Sequence, residues 1–440
     1  MMSDEFAATA LAPFSPAAVA LTSRHSPVVA RRPRILIIGG RLGHVRKARA
    51  LGLDVVHVQF PDEYDRGHWP HVDQALLFDY RDLARLLPFA QALHAAYPFQ
   101  AALSLCEPGL LPAARINEAL GLSGESVATV ELMQDKWRMR QHLAANGISP
   151  VACAVGRSTQ DLREFVHAHG LPIVVKPIRE SGRLGVFCVH DQADVDVVAE
   201  RVHSLDGHRA DQDRASADSG DEFLLEEFLD GPEISVETLS FEGRHVVVAV
   251  TDKDCGPDFV ESGHSQPSDC PAETLREVTQ QVTAFLDAVG LRNGPGHTEV
   301  KLTSRGPRIV ESHNRIGGDR INDLAEIAYG VDMERYALGA GFGVVEPLTS
   351  SPEPRGGAAV RFLTPEPGRV VEVTGVEAVR ADPAFVDLRL HVEPGDEVPP
   401  PTWNEDKVGH VIARGASAAE AVAHGARLAA AVQVRTEPVA

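Results

Sequence analysis

Two kinds of apolar pattern alternate along the chain. Residues 34–40 (RILIIGG) are a continuous apolar run closed by two glycines, which predicts a strand buried on both faces of a parallel sheet. A helix over 44–51 and a second strand over 54–59 complete a βαβ opening. Residues 101–106 read as a further strand end with Glu107 at its tip, so 34–125 make one small α/β domain. A helical segment carrying Asp135-Lys136-Trp137 follows, then strands near 152–155 and 172–177. Residues 206–221 are polar, charged and contain Gly and Ser, the composition of a surface loop. Strand-like runs occupy 222–240 and 245–251, and 276–289 has helical apolar spacing. From about residue 352 short strands and turns lead to an Ala-rich helix at 417–431, and no internal repeat is present. Residues 1–33, rich in Ala, Ser and Pro, read as a mobile leader. The apolar patch at 17–21 lacks the basic segment and the length of a secretory signal.

The 440 residues suit two or three packed domains. No apolar run reaches the ~18–20 residues that a membrane span needs. A net charge of −20 argues against a nucleic-acid partner and requires any anionic substrate to find a local basic pocket. The five cysteines, Cys106, Cys153, Cys188, Cys255 and Cys270, are odd in number and form no C-x-x-C, which fits reduced thiols in a cytoplasm. Lysine is scarce: Lys47, Lys136, Lys176, Lys253, Lys301 and Lys407 are all there are. Where Arg is the default cation, a Lys kept in a strand invites a search for phosphate, to which a compact point charge is suited.

Three segments carry candidate chemistry. The first runs from Gly296 through Glu299 to Arg315 and reads as a hairpin. A three-residue loop, Ser304-Arg305-Gly306, would pair Thr303 with Pro307, set Glu299 opposite Glu311 and His297 opposite His313. Two carboxylates ~5 Å apart repel unless a cation lies between them, and a hard divalent ion with oxygen ligands is the natural partner. The same pattern also describes an exposed hairpin with Glu and His on its wet face. Arg315 and the pair Gly317-Gly318 follow at once, offering a bidentate phosphate contact and close backbone approach. The second segment delivers Lys176 at the end of a buried strand. It then offers backbone N–H groups in a loop containing Ser181, Gly182 and Gly185, the material of a phosphate cover. The third is Glu226-Glu227-Phe228-Leu229-Asp230-Gly231-Pro232-Glu233, a strand, a turn and a further acid.

In this order the segments resemble the ATP-grasp superfamily over about residues 34–430. The resemblance implies an α/β (α+β) ATP-grasp fold with an N-terminal α/β domain over 34–125 and an ATP-grasp domain over 126–345. A small α/β lid would span about 150–228, and residues 346–440 would complete a mixed-sheet catalytic domain. It implies that Lys136 and Lys176, with Ser181, Gly182 and Gly185, contact ATP phosphates. Glu226, Glu227, Phe228 and Leu229 would line the adenine hinge, and Glu233 would hold ribose. Glu299, Glu311 and His313 would bind Mg²⁺, and Arg315 would stabilise the transferring phosphoryl group. The family usually has Asn where this chain has His313, with Asn314 beside it, so the third ligand stays open and Mn²⁺ is an expected substitute.

A narrower resemblance concerns 259–267, Phe-Val-Glu261-Ser-Gly-His264-Ser-Gln-Pro, which is similar to a stretch of the L-amino-acid ligases. It implies that Glu261 holds an ammonium and that His264 orients a carboxylate or assists proton removal. Asp319 would border that pocket. The function implied is an ADP-forming carboxylate–amine ligase working through an acyl phosphate, with small-molecule acid and amine substrates. Neither nucleic acid nor membrane is expected as a partner, and there is room for a homodimer. The alternatives are a purine-pathway ligase or bicarbonate-using carboxylase of the same superfamily, or a nucleotide-binding protein without catalysis.

Overall fold

The computed structural model describes residues 32–179, 185–198, 200, 222–256, 260–400 and 406–438. The chain divides into Met1–Arg32 and Pro33–Ala440. Nearly all of the expected leader, the expected loop at 206–221, and Ser181 and Gly182 lie outside the described residues.

Strand β1 (Arg34–Ile38) is buried on both faces, as its unbroken apolar run requires. Helix α1 (Leu42–Ala50) returns the chain to β2 (Asp54–Gln59), and β3 (Gln74–Leu77), α2 (Leu83–Ala96), β4 (Ala101–Leu103) and α3 (Glu107–Leu120) follow. The four strands form a parallel sheet in the order β3-β2-β1-β4. Alternate side chains of β1 serve two cores. Leu36 and Ile38 pack with Leu86, Phe99 and Ile116. Ile35 and Ile37 belong to a second core with Leu324 and Met333, which binds this domain to the large sheet.

Helices α4 (Val127–Gln134) and α5 (Lys136–Ala145) meet at Asp135, whose carboxylate caps α5 through the Arg138 amide at 2.9 Å. The small domain beyond them holds β5 (Cys153–Gly156), α6 (Thr159–His169), β6 (Ile173–Pro177), β7 (Phe187–Val189) and β8 (Phe223–Glu227). Its sheet runs β5-β8-β6-β7 over a core of Leu162, Phe165, Val175 and Leu225.

The large sheet contains β9 (Glu233–Phe241), β10 (Arg244–Cys255) and β11 (Glu261–Gln266). After α7 (Ala272–Ala288) come β12 (Gly294–Thr303) and β13 (Gly306–His313). Helices α8 (Ile321–Tyr329) and α9 (Met333–Gly339) precede β14 (Gly357–Leu363), β15 (Gly368–Thr374), α10 (Val376–Arg380), β16 (Phe385–Leu390), β17 (Glu397–Val398), β18 (Gly409–Gly415), α11 (Ala418–Ala431) and β19 (Gln433–Glu437). Among the described residues the sheet has eight strands in the order β13-β12-β9-β10-β11-β14-β18-β16. Its pairings are antiparallel throughout, a narrower pattern than the mixed sheet expected. Three strands beyond residue 346 therefore extend the same sheet that carries Glu299 and Glu311, while β15, β17 and β19 form a small sheet of their own.

Candidate active site

The hairpin of β12 and β13 sets Glu299 opposite Glu311 and His297 opposite His313, by a different route from the one expected. The loop has two residues, Ser304 and Arg305, with Thr303 paired to Gly306, whose φ of 90° is open to glycine. A shorter loop alone would place Val310 opposite Glu299. A β-bulge between Ile309 and Glu311 adds back the lost residue and returns Glu311 to the face of Glu299. Arg140 satisfies the bulge. Its guanidinium donates to the Ile309 carbonyl at 2.5 Å and to the Val310 carbonyl at 3.0 Å, and its Nε donates to Glu226. Sequence reasoning passed over Arg140, one of many arginines in the chain.

The two facing acids are held by ammonium groups. Glu311 Oε2 lies 3.0 Å from Lys136 Nζ, and Glu299 Oε1 accepts from Lys253 Nζ. Burial would push both carboxyls up. The lysine charges outweigh it, with His313 helping Glu311 and His297 helping Glu299, so both acids are held well below the usual carboxylate range. A pair of ionised, facing carboxylates is a hard oxygen donor set that fits a divalent cation. His313 is committed elsewhere. Nε2 lies 3.1 Å from Glu311 Oε1, and Nδ1 lies 3.1 Å from Glu107 Oε2. Burial opposes its protonation, but the acids on either side raise its pKa above the ordinary value. Both ring nitrogens thus face carboxylates, so the third position expected of His313 would require it to exchange an acid partner for the metal. Asn314, the other candidate, lines a separate cavity with Ser104, Leu239 and Tyr336, and its buried Oδ1 has no partner there.

His297 is buried behind the acids. Its Nδ1 lies 3.0 Å from both oxygens of Glu237, and its Nε2 lies 3.6 Å from Glu299 Oε1. Burial would lower its pKa, but the two carboxylates raise it to about 9. Gly317 closes over this pair: a Cβ there would stand 2.9 Å from His297 Nδ1.

Lys176 Nζ lies 2.7 Å from Glu226 Oε2, and both are buried. Glu226 is shared between Lys176 and Arg140. Despite burial these cations hold its carboxyl down to about 2. Its side chain is ion-paired with both cations where a hinge contact was expected. Glu227 is tied to the Ala152 amide at 3.0 Å and to Arg305 at 2.5 Å, so it too is committed. Phe228 and Leu229 follow the end of β8, Leu229 buried and Phe228 half-buried. Glu233 lies 2.7 Å from Lys253 and 3.4 Å from Lys301, ion-paired where a ribose contact was expected. Gly185 has a φ of 74° and lies shortly before β7.

Glu261 and His264 both lie on β11. Glu261 Oε1 lies 2.9 Å from Lys253, and Oε2 lies 3.4 Å from both His264 Nε2 and Lys407 Nζ. Lys407 also lies 3.0 Å from Asp319 and sits 3.6 Å above the Phe362 ring. Burial and the neighbouring Glu261 push the Asp319 carboxyl up. Asp319 and Arg320 both adopt left-handed backbone, with φ of 47° and 69°. Two adjacent non-glycine residues in that region store strain, of order 1–3 kcal/mol each, of the kind found at ligand sites. Arg315 donates from Nε to Glu107 Oε2 at 2.6 Å. Glu107, noted from the sequence only as a strand tip, thereby joins the N-terminal domain to the site.

A small cavity of ≈ 120 Å³ is lined by Glu261, His264, Glu299, Glu311 and Arg315, among others. It shares Arg315, Gly318 and Asp319 with an outer cavity of ≈ 680 Å³ that also reaches Arg41, Arg389 and Lys407. Five of the six lysines, Lys136, Lys176, Lys253, Lys301 and Lys407, each meet one of the candidate carboxylates Glu226, Glu233, Glu261 and Glu311. Lysine scarcity was the one signal that could have found Lys253 and Lys407. All five cysteines are free thiols. Among the described residues no helix is long and apolar enough to cross a membrane.

These features make up the ATP-grasp fold. Family models match as "ATP-grasp N-terminal domain" over residues 45–124, "ATP-grasp domain" over 169–323 and "L-amino acid ligase C-terminal domain 2" over 361–437. Carnosine synthase 1 of Homo sapiens is 30% identical over 258 residues, covering 56% of this chain and 31% of that protein. Alanine–anticapsin ligase of Bacillus subtilis (strain 168) is 26% identical over 246 residues, covering 52% of this chain and 51% of that protein. The chain thus spans about a third to half the length of these two relatives. The L-amino acid ligase from Bacillus licheniformis shares the fold, with a TM-score of 0.77 at 22% identity over 93% of this chain and 100% of that one.

Proposed function

We propose that the protein is an ATP-dependent, ADP-forming carboxylate–amine ligase that joins an amino acid or similar carboxylate to an amine through an acyl phosphate. The observation that carries this is one cavity in which the facing Glu299 and Glu311 meet Arg315 on one side and Glu261 and His264 on the other. Phosphoryl-transfer groups and groups suited to an amino acid share a single space. The match of residues 361–437 to an L-amino acid ligase domain favours this reading over a carboxylase.

Glu299 and Glu311 would hold Mg²⁺, or Mn²⁺ in its place, which supplies charge neutralisation to the triphosphate of ATP. Lys136 and Lys176 are placed to exchange their carboxylate partners for phosphate oxygens. Arg315 lies in the same cavity and carries a planar fork that meets charge developing on phosphoryl oxygens. Glu261 offers an anion to the substrate ammonium, and His264 stands beside it. The strained turn at Asp319–Arg320 sets the cavity wall.

The test is product identity. With an acid substrate and hydroxylamine in place of the amine, the protein should release ADP and phosphate and yield a hydroxamate, because an acyl phosphate exists to be trapped. Release of AMP and pyrophosphate would mean adenylate chemistry and would end this reading.

A further inference from the structure

Lys253 takes no part in the reaction just described. It lies on β10 with its side chain 3% exposed, and its ammonium stands among carboxylates from three other strands. Glu233 Oε1 of β9 is 2.7 Å away, Glu261 Oε1 of β11 is 2.9 Å away, and Glu299 Oε1 of β12 accepts directly. An ammonium has three donors, and oxygens of three carboxylates lie within 2.9 Å of it. Oxygen atoms from several strands around one buried positive centre is the arrangement that otherwise surrounds a divalent cation. The surroundings make that concrete: ligand atoms of Glu233, Cys255 and Glu261 already lie within 4.8 Å of one another. Three buried carboxylates with no cation among them would repel strongly, so the position must hold positive charge of some kind.

We propose that Lys253 is a resident cation that occupies the centre of the Glu233–Glu261–Glu299 cluster in place of a metal ion. It is a positioning residue. It keeps a divalent ion out of the cluster and on the Glu299–Glu311 side, and it fixes Glu261 facing the substrate cavity. The compact charge of Lys suits a three-way centre, whereas the planar fork of Arg does not. The proposal rests on the roles given above to Glu299 and Glu261, but its test needs no turnover.

Mn²⁺ alone, without nucleotide, is titrated into the full chain and followed by electron paramagnetic resonance. The proteins are wild type, Lys253→Met and Lys253→Arg. Lys253→Met should gain a nucleotide-independent Mn²⁺ site at least about tenfold tighter than any in wild type, because three carboxylates lose their resident charge. Lys253→Arg should not gain it. In turnover, Lys253→Met should raise KM for the acid substrate more than KM for ATP, a split that general loss of structure does not produce. A folded Lys253→Met with wild-type Mn²⁺ binding overturns the proposal. If Lys253→Met does not fold, Lys253→Met/Glu233→Gln removes one carboxylate with the ammonium and is titrated in the same way. If neither folds in metal-free buffer, refolding in Mn²⁺ decides: recovery supports a cation site, and failure to recover overturns it. The hydroxamate experiment fails or succeeds independently of all these outcomes.

Discussion

Replacing Arg140 by Met tests whether a buried residue of α5 holds the β12–β13 hairpin in register. Arg140 is 2% exposed and makes three contacts in three directions. Nε meets Glu226 on β8, and the two terminal nitrogens meet the carbonyls of Ile309 and Val310 at the bulge on β13. Removing one partner of a buried ion pair costs about 3–5 kcal/mol. Each carbonyl left without a donor adds about 1 kcal/mol or more. Lys176 remains 2.7 Å from Glu226, so the carboxylate keeps one cation. That places the expected loss at the lower end of the sum, about 5 kcal/mol. The assay is urea unfolding at neutral pH, read as a shift in midpoint at constant m. Lys at position 140 should restore little, because one ammonium on a flexible stem does not span a carboxylate and two carbonyls of another sheet. A loss below about 1 kcal/mol for Arg140→Met would refute the reasoning, since the bulge would then be held by other groups.

Two further outcomes follow from the site. Arg315→Ala should lower kcat by on the order of 10²–10³-fold while changing ATP affinity much less, and Lys should rescue poorly; equal losses in rate and binding, measured by turnover and nucleotide titration, would contradict a role in stabilising developing charge. His297 titrates at about 9 in the folded chain against an ordinary 6.5, so its protonated form stabilises the fold. That contribution is whole below 6.5 and is lost as pH rises through about 9, at most on the order of 3 kcal/mol. Unfolding free energy should therefore fall across this window in wild type and stay flatter in Glu237→Gln; parallel profiles would remove His297 as the cause.

The local sequence determined what repeats within a few residues. The apolar run at Arg34–Ile38 had no stable alternative to a buried parallel strand, and Asp135 marked the start of the helix that carries Lys136. Alternation within one hairpin predicted that Glu299 and Glu311 face each other. Even there, two local features had to cancel: the loop is one residue shorter than expected, and the bulge restores that residue. Such a bulge leaves no mark in a hydrophobic pattern, because it is held by Arg140 from another helix. What only the tertiary structure decided is which charges meet. Lys253, Glu233, Glu261 and Glu299 come from four strands, Glu107 reaches Arg315 from the N-terminal domain, and Lys407 reaches Glu261 and Asp319 from beyond residue 400. A side chain's own neighbours fix the face it occupies, by the period of its element. Its ionic partner is chosen by the packing of strands distant in sequence, where burial makes an unpaired charge too costly to keep.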